Sequence, residues 1–296
     1  MLNALTIDVE DYFQVSGFER QIRREDWASF DSRVERNTDR LLEVLDDQQV
    51  RGTFFVLGWT AERHPEMVRR IQAAGHEIGS HSYWHRLVYD LTHDEFRNDL
   101  RRSRDVLESI TGQPVRLYRA PSFSITKRSL WAFEILAEEG FEVDSSVYPV
   151  VHDRYGIPDA ALTPHPVDTP AGAVLEVPPA VTQWGRFRMP TGGGGYFRLL
   201  PWFTTRHCLA RIHRAHARPF VFYLHPWEID PEQPRLSAGS KMSRFRHYAN
   251  LHRTQSKLVA LLRRFRFGSL SHYLRELGLS SHESDRSNVS LAVATP

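Results

Sequence analysis

Short apolar runs alternate along the chain with longer stretches in which apolar residues recur every three or four positions. "ALTIDV" (4–9), "GTFFVLG" (52–58), "HEIGSH" (76–81), "VRLYRAP" (115–121), "FEVDSS" (141–146), "VLEVP" (174–178) and "PFVFYLH" (219–225) read as strands. Helical stripes lie between them. Leu41, Leu42, Val44 and Leu45 mark one over 38–49, and Met67, Val68, Ile71 and Ala74 mark another, opened by Pro65 and closed by Gly75. Phe96, Leu100, Leu107 and Ile110 predict a third from Asp94 to Gly112, followed by helices over 126–139 and 202–216. This alternation argues for parallel βαβ units in one α/β fold.

In such folds the chemistry gathers where strands end at their carboxyl edges. Polar groups cluster at those ends: Asp8, Glu10 and Asp11; His81 and His85; Arg119; Asp144; His225. If residues 81–85 form a turn of helix, both imidazoles lie on one side and can meet one ion. Neutral imidazole suits zinc and similar metals, and the alternative is two solvated loop histidines. Side chains alternate in a strand, so Asp8 and Glu10 share a face if "TIDVED" stays extended; otherwise they form an acidic turn. Arg119 could orient a carboxylate or make a surface ion pair. His225, after apolar "FVFYL", could act as a general acid or be a satisfied histidine at the barrel rim.

The chain has 296 residues, 41% hydrophobic and 25% charged, with a formal net charge of +2. That size suits a single α/β barrel, and the charge balance points to no nucleic-acid partner. The lone Cys208 excludes an intrachain disulfide framework and a cysteine-rich zinc site. "MLNALTIDVEDYF" shows no secretory leader, and no apolar run reaches the ~18 residues needed to span a bilayer, so the expectation is a cytoplasmic protein. "TGGGGYFRLLP" (191–201) has no GK[ST] and is no phosphate loop; its glycines are expected to let backbone approach a sugar or to form a lip. Residues 235–266 carry nine Lys or Arg and no acid, with Leu251, Leu258, Leu262 and Phe265 on one helical face. That segment reads as a helix packed on the barrel, its bases either solvated or facing an anionic polymer or lipid-linked phosphate.

Taken together the motifs resemble the polysaccharide deacetylases, carbohydrate esterase family 4. "GHEIGSHSYWH" matches the histidine motif, "TIDVED" an altered first motif, "RAPS" (119–122) the R-x-P motif and "LHP" (224–226) the late L-x-H motif. "DVEDYF", "YRAPSFS", "VDSSVYP", "GGGGYFRLLP" and "HPWE" resemble the subgroup found with exopolysaccharide and protein-sorting clusters of Gram-negative bacteria. The resemblance implies a distorted (β/α)7-type barrel, placed over 1–230; the apolar face noted above gives a helical extension over 231–280, and "SSHESDRSNVS" reads as the start of a loose tail over 281–296. The resemblance also implies a zinc or other divalent ion on His81 and His85, and hydrolysis of an N-acetyl group on an oligo- or polysaccharide. Asp8 would be the base, His225 the acid, Arg119 the group orienting Asp8, and the Ser122 N–H an oxyanion donor. Asp144 would support His225 or serve as a structural cap. Val9 stands where the family has its second aspartate; alternation favours Glu10 as third ligand, with Asp11 the fallback if the strand bends early. Two other readings are an allantoinase-like cyclic amide hydrolase and a sugar-binding protein whose catalysis has lapsed.

Overall fold

The first apolar run becomes the centre of the sheet. In the computed structural model, which describes residues 1–152 and 154–279, β1 (Leu2–Val9) is buried at all eight positions. A strand covered on both faces needs such a continuous run rather than strict alternation. The strands that follow are β2 (Thr53–Val56), β3 (Glu77–Ser80), β4 (Leu117–Tyr118), β5 (Val143–Asp144), β6 (His165–Thr169) and β7 (Gly172–Glu176). The remaining four are β8 (Val181–Trp184), β9 (Phe187–Pro190), β10 (Val221–Leu224) and β11 (Arg266–Gly268).

Seven strands run parallel in the order β10-β1-β2-β3-β4-β5-β7, and β6 joins β7 antiparallel at the edge. Between the strands lie helices over 34–47, 65–73, 93–111, 132–138 and 202–216, within a residue of the expected bounds for the second, third and last. The 93–111 helix starts at a capping box in which Thr92 and Glu95 satisfy each other's backbone N–H groups.

The sheet curls, and its ends are joined irregularly. Ala180 N donates to Val221 O (2.9 Å), Tyr223 N donates to Gly192 O (2.6 Å), and Gly193 bridges to Tyr223. Gly193 has φ +141, and a Cβ there would lie 1.8 Å from the Tyr223 carbonyl oxygen. Gly192 and Gly193 therefore serve backbone-to-backbone closure of the barrel, a use the sequence did not suggest.

Chain beyond residue 230 wraps back onto this frame. The helix over 251–264 buries Leu251, Leu258, Leu261 and Leu262. β11 then pairs with Leu2–Ala4 of β1, while β2 takes Thr6–Val9. Ala4 pairs with Val221 on one side and Gly268 on the other, so β11 and β2 share an edge of β1. The extension expected to be helical thus also supplies a strand to the sheet. No helix among the described residues is long and apolar enough to cross a membrane. The tail expected over 281–296 lies outside the described residues.

Candidate active site

Because β1 is flanked by β2 and β10, its carboxyl end lies beside that of β10 and faces the ends of β3 and β4 across the curl. Asp8 lies within β1, and the chain turns immediately after Val9, with Glu10 N donating to Asp8 O (3.1 Å). Glu10, His81 and His85 converge, each offering one ligand atom, all within 4.8 Å of one another and all buried.

The two histidines reach that point without the expected helical turn. Residues 81–85 form a loop in which Ser82 and His85 have positive φ, 70° and 52°. The cause is Asp99, a buried carboxylate from the 93–111 helix that accepts from Ser82 Oγ, Tyr83 N (2.6 Å) and Trp84 N (3.0 Å). Arg24 fastens the same loop by donating to Trp84 O (2.6 Å) and His85 O (3.2 Å). A carboxylate that collects three donors outweighs the intrinsic cost of left-handed backbone. Nothing near residue 81 in the sequence announces Asp99.

His81 Nδ1 lies 2.8 Å from Arg119 O, so that nitrogen carries the proton and Nε2 is left as a lone pair. Burial pushes the His81 imidazole down to about 4, which keeps it neutral. Glu10 Oε2 sits 2.5 Å from His85 Nε2 but out of line for a hydrogen bond, leaving it a buried oxygen without a donor. Burial would raise the Glu10 carboxyl, but the charge of His85, with His225 and His81 behind it, brings it down to about 2. Two imidazoles, one carboxylate and a buried oxygen without a donor among them fit a divalent first-row cation. Asp11 is not among these groups. It accepts from Tyr12 N, Ser32 Oγ, Arg33 N and Val34 N, and so caps the 34–47 helix.

Beside the cluster, Arg119 Nη1 donates to Asp8 Oδ1 (2.9 Å) and to Thr6 Oγ1 (2.6 Å). Its other nitrogens hold Ser145 O (3.0 Å) and Ser145 Oγ (2.7 Å), so the fully buried guanidinium has one possible direction. His225 Nε2 lies 3.8 Å from Asp8 Oδ2 and 3.7 Å from Glu10 Oε1. Ser122, with φ 52°, lines the same cleft of about 230 Å³, and its hydroxyl meets that of Ser16.

Support for His225 comes from Glu228, not from Asp144. His225 Nδ1 lies 3.0 Å from Glu228 Oε2, which also accepts from His225 N (3.0 Å). Arg198 Nε donates to the other oxygen of Glu228 (2.6 Å). Burial alone would lower the His225 imidazole; the hydrogen bond and charge of Glu228, then Glu10 and Asp8, raise it to about 9. Asp144 instead accepts from Ser146 Oγ (2.5 Å) and shares a hydrogen bond with Glu176, its register partner on β7. Sequence reasoning missed Glu228, Arg198 and Trp227, whose Nε1 donates to Glu10 Oε1 (3.2 Å). The available signal was the three-residue spacing of His225 and Glu228 in "HPWE", the spacing of a capping box.

Two family models match the chain: polysaccharide deacetylase over residues 22–140, and a domain of unknown function, DUF3473, over 145–275. His81, His85, Arg119 and Ser122 fall in the first match and His225, Arg198 and Glu228 in the second, while Asp8 and Glu10 precede both. A peptidoglycan-N-acetylglucosamine deacetylase of Bacillus cereus is 36% identical over 98 residues, 33% of this chain and 36% of the relative. A chitooligosaccharide deacetylase of Rhizobium leguminosarum bv. trifolii is 29% identical over 97 residues, 31% of this chain and 45% of the relative. The chain spans less than half the length of the curated relatives it matches. A crystal structure described as that of a "putative polysaccharide deacetylase from Mycobacterium smegmatis" superposes with a TM-score of 0.63 at 20% identity. That superposition covers 100% of this chain and 94% of the other, and the two share the fold.

Proposed function

We propose, on the premise that the chain carries a polysaccharide deacetylase domain over residues 22–140, that the cleft hydrolyses an N-acetyl group on a glycan of exopolysaccharide type. The observation that carries this reading is the buried Glu10, His81 and His85 set with Asp8 and His225 beside it.

Glu10, His81 and His85 would hold a divalent ion, zinc by the chemistry of the donors. Such an ion supplies a Lewis acid that polarises the acetyl carbonyl and makes water easier to deprotonate. Asp8, held by Arg119, accepts the proton of the attacking water. Arg119 keeps the Asp8 carboxylate from rotating away, which keeps the base in register with the reacting carbonyl. The Ser122 N–H, carried on left-handed backbone at the cleft wall, would donate to the oxygen that becomes negative. His225 begins the cycle protonated, as its raised pKa requires, and passes its proton to the departing amine. Glu228 holds Nδ1–H, so Nε2 is the nitrogen that gives and later regains the proton.

The experiment is acetate release from a panel of N-acetylated oligosaccharides, run after loading with divalent metal and with allantoin as a cyclic-amide control. Acetate release that disappears in Asp8→Asn supports the assignment. Ring opening of allantoin without acetate release, or binding of sugars without turnover, overturns it.

A further inference from the structure

The helix over Lys241–Tyr248 belongs to the basic segment and contributes Arg246 to the lining of the cleft. His247 stacks on Trp227 (4.2 Å, 16°), which stacks on His225 (5.2 Å, 25°). Arg198 Nη1 holds the helix end by donating to the carbonyls of Arg246 (2.7 Å), His247 (2.6 Å) and Ala249 (3.3 Å). The same guanidinium binds Glu228, so the backbone of Arg246 and the imidazole of His225 are mounted on one buried link.

The Arg246 side chain is exposed and lines the cleft. Among the described residues its guanidinium makes no ion pair and no hydrogen bond. Arg154, from the segment after β5, lines the same cleft. Among the described residues neither guanidinium pairs with an acid of the cleft floor, where Asp8 contacts Arg119 and His225 and Glu10 contacts His85 and His225. Nor does the surrounding segment neutralise them. Of the nine Lys and Arg over 235–266, only Arg266 has an acidic partner among the described residues, Glu276 at 3.9 Å. The chain as a whole carries a net charge of only +2, so this cationic wall is local.

We propose that the cleft selects a glycan bearing a negative charge, a carboxylate or a phosphate, close to the reacting acetamido group, and that Arg246, assisted by Arg154, binds that charge. This rests on the deacetylase reading above and adds the class of substrate. A planar guanidinium donating two hydrogen bonds matches either anion, and a rim cation left unpaired is free to do so.

The test uses matched probes. One pair is a peptidoglycan-derived tetrasaccharide with free lactyl carboxylates and its amidated form; the other is N,N′-diacetylchitobiose 1-phosphate and unphosphorylated diacetylchitobiose. We expect kcat/KM for acetate release to favour the charged member of at least one pair by roughly tenfold. The pair that responds identifies carboxylate or phosphate as the source. Arg246→Ala should bring the ratio toward one, Arg246→Glu should invert it, and high salt should shrink it. Equal rates on both members, or a ratio unmoved in Arg246→Glu, overturn the proposal and leave deacetylation standing. If no probe releases acetate, the deacetylase reading falls, and calorimetric affinities for the same pairs still decide the charge preference. Equal affinities then overturn it, and tighter charged binding lost in Arg246→Glu supports it.

Discussion

At the end of β1, Asp8 and Glu10 are two buried carboxyls among positive or protonatable partners; at the ends of β5 and β7, Asp144 and Glu176 are two buried carboxyls with none. Arg119 contacts Asp8, and His85 and His225 approach Glu10, whose pKa falls to about 2. No ion pair reaches Asp144 or Glu176 among the described residues, and the charge of Arg119 touches Asp144 only from a distance. Burial raises both of these pKa values, Glu176 well above its ordinary value with the charge of Asp144 adding to the effect. One oxygen of each, Asp144 Oδ2 and Glu176 Oε2, has no donor, as fits two carboxyls sharing one proton. The same residue types at the same sheet edge thus make a charged cluster in one place and a proton-sharing clamp under the Ser145–Ser146 turn in the other. Neighbours decide the protonation state; the carboxyl group itself does not.

Removing the imidazoles should break this contrast most severely. His81→Ala with His85→Ala should reduce bound zinc from about one ion per chain to background and abolish acetate release, read by elemental analysis and assay. Full zinc occupancy in that double variant would sink the ligand assignment. Asp8→Asn should keep the ion and lose about 10²–10⁴-fold in kcat, the usual contribution of proton transfer.

Glu10→Ala and Asp11→Ala sharpen the comparison between adjacent carboxyls. The first should lose the ion; the second should keep it and lose about 1 kcal/mol of stability, the cost of a helix cap. Zinc lost in Asp11→Ala but retained in Glu10→Ala would reverse the assignment.

Glu228→Gln tests what raises His225. The acid is active while protonated, so activity falls as pH rises through its pKa, near 9 in the intact protein. Losing the charge of Glu228 lowers that pKa, so the alkaline limb of the kcat profile should move to lower pH. A limb that stays in place would leave Glu228 only a backbone cap for residues 225–228.

The smallest effect belongs to the proton-sharing clamp. Because the Glu176 pKa is raised on folding, the unfolded chain gives up its proton first, and stability falls as pH rises above the ordinary carboxyl value of 4.5. Glu176→Gln removes that loss. Thermal melting should show it more stable than the parent by about 1 kcal/mol at neutral pH, with the gap closing near pH 4. Lower stability at both pH values would mean the pair is held by something other than a shared proton.

Much of the site was legible because strand ends announce themselves. Asp8, His81, Arg119 and His225 each follow an apolar run, and parallel strands carry such ends to one edge. Alternation also favoured Glu10 over Asp11, although the pairing of β1 with β2 ends at Val9 and the chain then turns. The His81–His85 loop was not legible, since its shape depends on Asp99, fourteen positions beyond His85 and on another element. Asp144 left two roles open because it stands at a strand end like the others; its β7 neighbour is a second acid, and it takes the structural role.

The order of strands and helices and the donor types at the strand ends follow from the sequence by itself, because burial on two faces and helical periodicity are local patterns. Which strand end meets which is settled only when the sheet curls and Ala180 and Gly192 join its edges. Pairing of β10 with β1 sets His225, Glu228 and the Arg198 link beside Asp8, and the closure fastens the other edge of β10 to the segment after β7. Protonation states are decided at the same step, because the energy of a buried charge depends on partners tens or hundreds of residues away along the chain.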